Sequence, residues 1–287
     1  MITVQLQGGL GNQMFEYACG RALSLKHGTE LILDTGYLLN RTPRRDFTFR
    51  EYALGAFTID AKIISNKKPY IQLLLQKIMN KAVKQRGVEK HFSFDSSILS
   101  LGSSTALIGY WQSPKYFAGY EDVIRKDFTL KEPLPPDSQT LLEEIKNTAS
   151  VAIHVRRTDF VNHSLHDIGL TADYYEKALA LIAAKHPIEA VYVFSDDIDW
   201  CKKNLPNSIR NSSELVFVGE EHAGKYGEGH MMLMSNCRHF IIPNSSFSWW
   251  AGWLGTHPDK MVIAPKQWFR DPSIDTSDLI PNEWVRI

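Results

Sequence analysis

Short apolar runs rich in valine and isoleucine recur through the second half of the chain. They cover residues 151–155, 190–195, 215–218, 239–242 and 261–264. Stretches of helical length separate the first four runs, and the clearest predicted helix spans residues 171–186. Tyr175, Leu179 and Ile182 recur on one face of this helix, and Thr171 stands where an N-cap is favoured. Alternating strands and helices predict a parallel sheet that carries helices on both faces.

The N-terminal segment predicts a second unit of the same kind. A strand at residues 3–6 is followed by a turn with Gly8, Gly9 and Gly11, and then by a helix at about 12–26. A second strand at residues 30–34 completes a β-α-β unit. The lysine-rich residues 60–90 are predicted to be helical, because apolar residues recur there at helical spacing.

A proline-rich segment at residues 133–136 precedes a short predicted helix at 138–147. We place the domain boundary there. The sequence therefore predicts an N-terminal domain at residues 1–147 and a C-terminal domain at 148–287. Two α/β halves with a cleft between them are the expected architecture.

Composition narrows the classes of protein that the chain can represent. The 287 residues carry 32 basic and 32 acidic side chains, so the net charge is zero, which argues against a dedicated nucleic-acid binder with its basic excess. Cys19, Cys201 and Cys237 are too widely spaced for a metal or disulfide framework. No secretion signal and no apolar run of membrane-spanning length is present, so a cytoplasmic protein is expected.

The most informative motif begins at His154 and continues through Val-Arg-Arg-Thr to Asp159, directly after the strand at 151–155. Arg156 and Arg157 present planar forks of donors that fit phosphate oxygens. Ligands of open α/β sheets bind outside the carboxyl ends of the strands, so this position suits a diphosphate site. The alternative is a surface salt bridge between one of the arginines and Asp159.

A second motif, Phe-Ser-Asp-Asp, ends the strand at residues 190–195. Asp196 or Asp197 could accept hydrogen bonds from guanine, or could cap a helix that begins near Ile198. Asp197 and Asp199 also form an Asp-x-Asp triplet of the kind that holds a divalent metal on a diphosphate. We expect the site to work without a metal, because Arg156 and Arg157 can already neutralise the leaving group.

A third motif follows the strand at residues 239–242 and spans 243–252. The hydroxyls of Ser245 and Ser246 and the backbone N–H of Phe247 are placed to form an anion cradle at a helix N-terminus. The alternative is a capped helix with a buried aromatic face. Three tryptophans are expected to lie mainly in the core: Trp249, Trp250 and Trp253.

The fourth motif is the N-terminal Gly-Gly-Leu-Gly-Asn-Gln at residues 8–13, whose glycine spacing differs from the dinucleotide-binding fingerprint. Glycines let a backbone approach a ligand closely. Asn12 and Gln13 offer amide groups suited to sugar hydroxyls. The alternative is a tight turn with Asn12 as helix cap.

These four motifs, in this order, resemble the α-1,2-fucosyltransferase family, glycosyltransferase family 11. The resemblance covers nearly the whole chain and is strongest at residues 2–23, 151–159, 192–197 and 243–254. It implies a GT-B-like α/β fold with two facing Rossmann-type domains and parallel sheets. It also implies GDP-fucose as donor substrate, transfer with inversion to the 2-hydroxyl of a galactose-terminated glycan, and neither metal nor cofactor.

The resemblance also implies roles for individual residues. On the donor side it assigns guanine or diphosphate contacts to His154, Arg156, Arg157, Asp196, Asp197, Asn244, Ser245, Ser246 and Phe247. Gly11, Asn12 and Gln13 would face the sugar and acceptor across the cleft. Arg156 and Arg157 would act in catalysis by stabilising the leaving diphosphate.

The sequence leaves alternatives for the general base and for contact with a membrane. Asp159 is the candidate base, with orientation of the arginines as its alternative role and Asp34 as a weaker candidate. The basic side chains at residues 62–86 suggest peripheral contact with an anionic membrane, and a solvated helix face is the alternative. The competing functions are a metal-dependent glycosyltransferase and a non-catalytic nucleotide-sugar binding module. The oligomeric state cannot be predicted.

Overall fold

A computed structural model describes residues 1–40, 48–65, 83–157, 164–211 and 214–287. The chain divides into two compact units. The first contains Met1–Lys131 and Ile274–Leu279, and the second contains Glu132–Ser273 and Ile280–Ile287. The predicted assignment of the acceptor side to a domain at residues 1–147 and of the donor side to a domain at 148–287 stays a prediction. The α/β class is confirmed, because each unit is built on a parallel sheet.

The sheet of the first unit has the strand order β3-β2-β1-β5-β4, and all of its paired strands run parallel. Its strands are β1 Ile2–Gln5, β2 Leu31–Asp34, β3 Lys62–Ile64, β4 Gln85–Val88 and β5 Thr105–Ile108. Its described α-helices are Leu10–Lys26, Gly36–Leu39 and Glu121–Asp127. The predicted N-terminal β-α-β unit is therefore confirmed.

The sheet of the second unit has the order β11-β10-β9-β6-β7-β8 and is also parallel. Its strands are β6 Ser150–Val155, β7 Ala190–Ser195, β8 Leu215–Val218, β9 His239–Ile241, β10 Val262–Ala264 and β11 Val285–Arg286. Its described α-helices are Pro136–Lys146, Ala172–Ala183, Ile198–Asn204, Asn207–Arg210, Glu228–Ser235 and Ser246–Leu254. The five apolar runs of the sequence correspond to β6–β10.

The core of the second unit lies around its central strands. Every residue of β6 and β7 is buried, as expected for parallel strands with both faces covered. The helix Ala172–Ala183 contributes Tyr175, Ala178 and Ile182 to this core. Its N-cap is Thr171, but the Thr171 side chain makes no capping hydrogen bond, which corrects the predicted capping role.

The predicted helix at residues 60–90 is wrong at both ends. Lys62–Ile64 forms β3 and Gln85–Val88 forms β4, while residues 66–82 lie outside the described part of the chain. Both strands are short edge strands with mostly exposed side chains. They therefore lack the apolar signal that marks a buried strand, and pairing with β2 and β5 determines their structure.

Candidate active site

The strand order of the second sheet reverses at β6. β7 and β8 lie on one side of β6, whereas β9 and β10 lie on the other. Ligands of open parallel sheets bind at the carboxyl ends of the strands where such a reversal occurs. Arg156 and Arg157 follow β6, and the segment 243–246 follows β9. The fold therefore brings two of the predicted motifs to one edge of the sheet.

The two arginines contact two aspartates at the end of β7. Arg156 Nη1 lies 3.2 Å from Asp196 Oδ2, and Arg157 Nε lies 3.3 Å from Asp197 Oδ2. The backbone N–H of Arg157 also donates to Asp196 Oδ1 over 2.9 Å. The two aspartates therefore help to fix the positions of the arginines after β6.

Asp197 also caps the helix Ile198–Asn204, as one of the three interpretations of this motif predicts. Its Oδ1 accepts a hydrogen bond from the backbone N–H of Trp200 over 3.0 Å. A carboxylate oxygen has two lone pairs and can accept more than one hydrogen bond. Guanine contact by either aspartate stays a prediction.

A cavity of about 270 Å³ lies at this edge of the second unit. Of the predicted site residues, Arg156, Arg157 and Asn244 line it. Its remaining lining residues include Leu170, Thr171, Tyr175 and Trp200. The cavity combines two guanidinium groups with apolar and aromatic walls, and His166 and Asp167 also line it. The two guanidinium groups outnumber the one carboxylate and suit an anionic ligand that also carries apolar surface.

His154 is the last but one residue of β6 and is buried, with 5% of its surface exposed. Its ring centroid lies 5.5 Å from that of Phe247, a residue of the predicted anion cradle. Burial, with a contribution from the nearby Arg156 charge, lowers the pKa of His154 to about 3, so the imidazole is neutral near pH 7. Nδ1 of His154 is buried without a hydrogen-bond partner among the described residues, a costly arrangement unless a ligand or water satisfies it.

The helix Ser246–Leu254 begins at the predicted cradle. Ser245 is its N-cap residue and makes no side-chain capping bond. As in any helix, the first backbone N–H groups have no acceptor within the helix. Asn244 lines the cavity, and its contact with a ligand stays a prediction. Its Nδ2 donates to the carbonyls of His166 and Trp268, both over 2.9 Å, so its amide holds neighbouring segments in place.

The aromatic face of the same helix lies in the core, as predicted. Trp249 and Trp250 are fully buried, and Trp253 is 7% exposed. The rings of Trp249 and Trp253 are stacked with their centroids 6.4 Å apart. The Trp249 ring also lies 5.4 Å from that of Trp284, outside the helix, and this contact helps to hold the helix and its N-terminus in place.

Gln13, in the first unit, is fully buried, in contrast to its predicted contact with sugar. Its Nε2 donates to the carbonyls of Gly8 and Glu51 over 2.9 and 2.8 Å, and its Oε1 accepts from the N–H of Ala53 over 2.9 Å. These bonds join the glycine turn to a segment forty residues further along the chain. In this structure Gln13 therefore positions the turn and offers no free amide to a ligand.

Asn12 and Gly11 lie at the corresponding reversal of the first sheet, between β1 and β5. Asn12 is half-buried, and its Oδ1 accepts a hydrogen bond from Gln112 Nε2 over 2.8 Å, whereas Gly11 is buried. Gly8 has a φ of +71°, a conformation that suits glycine, and a Cβ at this position would collide with the Asn12 side chain. Sugar contact by Asn12 stays a prediction, whereas its predicted role as helix cap is wrong, because the N-cap residue is Gly9 and Asn12 lies within the first turn.

Two further residues near these sites were not predicted from the sequence. Glu16 is fully buried and accepts the backbone N–H of Gln7 over 2.9 Å, and burial raises the pKa of its carboxyl well above the usual range. Trp200 lies beneath the Arg157 guanidinium, whose central carbon is 4.0 Å from the ring centroid. Trp200 contacts Arg157, which is distant in the sequence, and Glu16 binds the backbone of Gln7. No local sequence pattern therefore indicates either residue.

The Asp197-x-Asp199 triplet does not form a ready metal site here. Asp197 is engaged by Arg157 and by the helix N-terminus, while Asp199 is exposed in the first turn. Across the described ranges, no cluster of three or more histidine, cysteine or acidic side chains is arranged to hold a metal ion.

Several predicted residues fall outside the described part of the chain. Asp159 is among them, so its roles as base or as partner of the arginines stay predictions. Asp34, the weaker candidate base, is 8% exposed and accepts the N–H of Gly36 over 2.8 Å. Most of the lysine-rich segment is also undescribed, but Lys62 forms an ion pair with Glu30.

Contact of the lysine-rich segment with a membrane stays a prediction, which sedimentation with anionic vesicles at low salt would test. Within the ranges that the structure describes, no helix combines the length and apolar character needed to cross a bilayer.

Comparison with known proteins links these motifs to one family. The chain is 33% identical to an alpha-1,2-colitosyltransferase of Escherichia coli, over 100% of this chain and 99% of the relative. It is 25% identical to galactoside alpha-(1,2)-fucosyltransferase 1 of Bos taurus, over 88% of this chain and 66% of that protein.

A structural comparison supports the same fold class. The structure of an Arabidopsis thaliana FUT1 variant in complex with GDP is similar with a TM-score of 0.50 at 12% identity, over 91% of this chain and 69% of that one. The predicted GT-B-like α/β class, with two parallel sheets, is confirmed. The model of Glycosyl transferase family 11 matches residues 1–287. The chain therefore belongs to glycosyltransferase family 11.

Proposed function

We propose that this family 11 enzyme transfers L-fucose from GDP-β-L-fucose to the 2-hydroxyl of a terminal galactose in a glycan. The observation that carries the proposal is the pair Arg156 and Arg157, which line one cavity at the switch point of the second sheet. The names of the relatives add the α-1,2 linkage and the galactoside acceptor. The GDP complex of the similar structure adds the nucleotide.

The reaction requires stabilisation of a leaving diphosphate. The 2-hydroxyl oxygen of galactose attacks C1 of fucose, the bond from C1 to the β-phosphate oxygen breaks, and the hydroxyl proton passes to a base. Negative charge grows on GDP as the bond breaks, and the guanidinium groups of Arg156 and Arg157 are placed to stabilise it. Loss of one such donor typically costs about 10²–10³ in rate.

Two further features suit the donor nucleotide. The N-terminus of the helix Ser246–Leu254 offers backbone N–H groups and a positive dipole end to an anion. The neutral His154 offers its unpartnered Nδ1 to the base or sugar of the nucleotide. We propose that Asp196 accepts hydrogen bonds from guanine, because its carboxylate lies at the end of β7 beside Arg156 and is an acceptor of the kind that the guanine N–H donors need.

The similarity to a colitosyltransferase supports a second donor. Colitose has the configuration of fucose and lacks the 3-hydroxyl, so the same diphosphate site would serve both. Incubation with GDP-fucose, GDP-colitose or GDP-mannose and galactose-terminated oligosaccharides separates these possibilities. Transfer from GDP-fucose supports the proposal, transfer from GDP-colitose alone supports the second donor, and no transfer from either contradicts both.

We propose Asp159 as the general base, because it closes the arginine motif in the sequence, four residues after the last residue of β6. The pH–rate profile of Asp159→Asn tests this role. Loss of activity together with loss of the acidic limb supports it, whereas an unchanged acidic limb with retained activity removes Asp159 from the role.

A further inference from the structure

We propose that Trp200 is a positioning residue that, together with Asp197, holds the Arg157 guanidinium in the orientation needed to receive the donor diphosphate. This inference rests on the proposed function, because it takes diphosphate binding by Arg157 as given. It adds a residue that neither the motifs nor the family resemblance pointed to.

Three contacts connect Arg157, Asp197 and Trp200. The guanidinium carbon of Arg157 lies 4.0 Å from the Trp200 ring centroid, and its Nε lies 3.3 Å from Asp197 Oδ2. The other oxygen of Asp197 accepts the backbone N–H of Trp200 over 3.0 Å. One face and one edge of the guanidinium are therefore fixed by two residues that are also bonded to each other.

The remaining edge of the guanidinium is the part that binds phosphate oxygens. In the described residues, the side-chain hydrogen bonding of Arg157 uses Nε alone, so both terminal nitrogens retain their donors. Arg157 and Trp200 both line the cavity of about 270 Å³, and the Arg157 side chain is 27% exposed. A ligand in this cavity can therefore reach the terminal nitrogens without displacing Asp197 or the indole.

Holding the Arg157 guanidinium in place before the donor binds has an energetic consequence. A free arginine side chain loses about 2 kcal/mol of rotamer entropy when it is fixed. Stacking on Trp200 removes much of that freedom before the nucleotide arrives, and the stack is partly shielded from water because Trp200 packs against the hydrophobic core of the unit. Loss of the indole should therefore weaken donor binding through Arg157.

The same helix provides a matched comparison. Lys202 lies over the ring of Phe217 at 5.8 Å, and Phe217 packs against the same hydrophobic core as Trp200. Neither residue lines the cavity. Phe217→Leu thus removes a cation–aromatic contact of the same helix without affecting the arginine, and it controls for general destabilisation.

The first test measures GDP affinity and the kinetic constants of Trp200→Leu, Trp200→Phe and Phe217→Leu. Trp200→Leu should raise the GDP Kd and the donor KM by about 5- to 30-fold and leave the acceptor KM near its wild-type value. Trp200→Phe should recover most of the affinity, because a phenyl face can still stack. Phe217→Leu should bind GDP like the wild type. If Trp200→Leu does not fold, Trp200→Met gives the same comparison with a flexible side chain.

A double-mutant cycle tests whether Trp200 acts through Arg157. Arg157→Ala should weaken GDP binding by about 10- to 100-fold, and adding Trp200→Leu should then weaken it less than about twofold further. Full additivity, or an unchanged Kd in folded Trp200→Leu while Arg157→Ala loses affinity, would overturn the positioning role alone. An unchanged Kd in Arg157→Ala would instead overturn the diphosphate role of Arg157, and with it this inference.

Discussion

Replacing Gln13 by methionine tests whether its buried amide stabilises the glycine turn of the first unit. The side chain makes three hydrogen bonds to the backbone, at Gly8, Glu51 and Ala53. Methionine has a similar length and fills the same space, so the substitution removes the polar contacts with little change in volume. Gln13 is fully buried, so its replacement leaves the solvent-exposed surface of the protein unchanged.

The expected magnitude follows from the backbone groups that lose their partner. A buried polar group left without a hydrogen bond costs about 1–3 kcal/mol. The bond to Ala53 is buried, whereas water can partly replace the amide at the carbonyls of Gly8 and Glu51. We therefore expect Gln13→Met to lower the free energy of unfolding by about 2–5 kcal/mol and the thermal midpoint by roughly 5–15 °C.

Differential scanning calorimetry combined with far-ultraviolet circular dichroism measures this loss. Gln7→Met is the matched control, because Gln7 lies in the same turn and its side-chain amide makes no hydrogen bond within the described residues. The control should unfold within about 1 °C of the wild type, as usual for a substitution outside a network. A Gln13→Met variant of wild-type stability with a raised acceptor KM would refute the structural role and restore the predicted sugar contact.

Three further predictions concern the fold and the chemistry. Tyr174→Phe should lower stability by about 1–2 kcal/mol in urea unfolding, because its hydroxyl donates to the carbonyl of Ile242 over 2.6 Å, next to the site; an unchanged midpoint would contradict this. The raised pKa of the Glu16 carboxyl means that its contribution to stability is complete below about pH 4.5 and declines as pH rises towards the folded pKa. Glu16→Gln should therefore flatten the stability profile above pH 4.5, and a profile with the wild-type slope would count against a buried neutral acid. Transfer activity should survive EDTA, and loss of activity that Mg²⁺ restores would favour the metal-dependent alternative.

The sequence predicted the elements whose signal is local. The apolar runs at 151–155 and 190–195 form β6 and β7, as predicted. Asp197 caps a helix, as one interpretation of its motif predicted. Trp249 and Trp250 are buried because an aromatic face repeated at helical spacing must pack against the sheet. In each of these cases the residues that determine the structure lie within one element.

The remainder depends on contacts between distant segments. Gln13 is buried because Glu51 and Ala53 bond to its amide, and no pattern near residue 13 indicates those partners. Trp200 meets Arg157 because β6 and β7 pair in parallel register, which places residues 43 positions apart at one strand end. The strands β3 and β4 are short, with three and four residues, and most of their side chains are exposed, so neither shows the longer apolar run by which β6 and β7 were predicted.

The central claim is that two guanidinium groups at the switch point of the second sheet bind the donor diphosphate. Isothermal titration calorimetry with GDP tests it most directly on the wild type and on the Arg156→Ala, Arg157→Ala double variant, with circular dichroism to verify folding. The account predicts that the double variant binds GDP at least about 100-fold more weakly, because each arginine supplies charge-assisted hydrogen bonds. A folded double variant with the wild-type Kd for GDP would contradict the account.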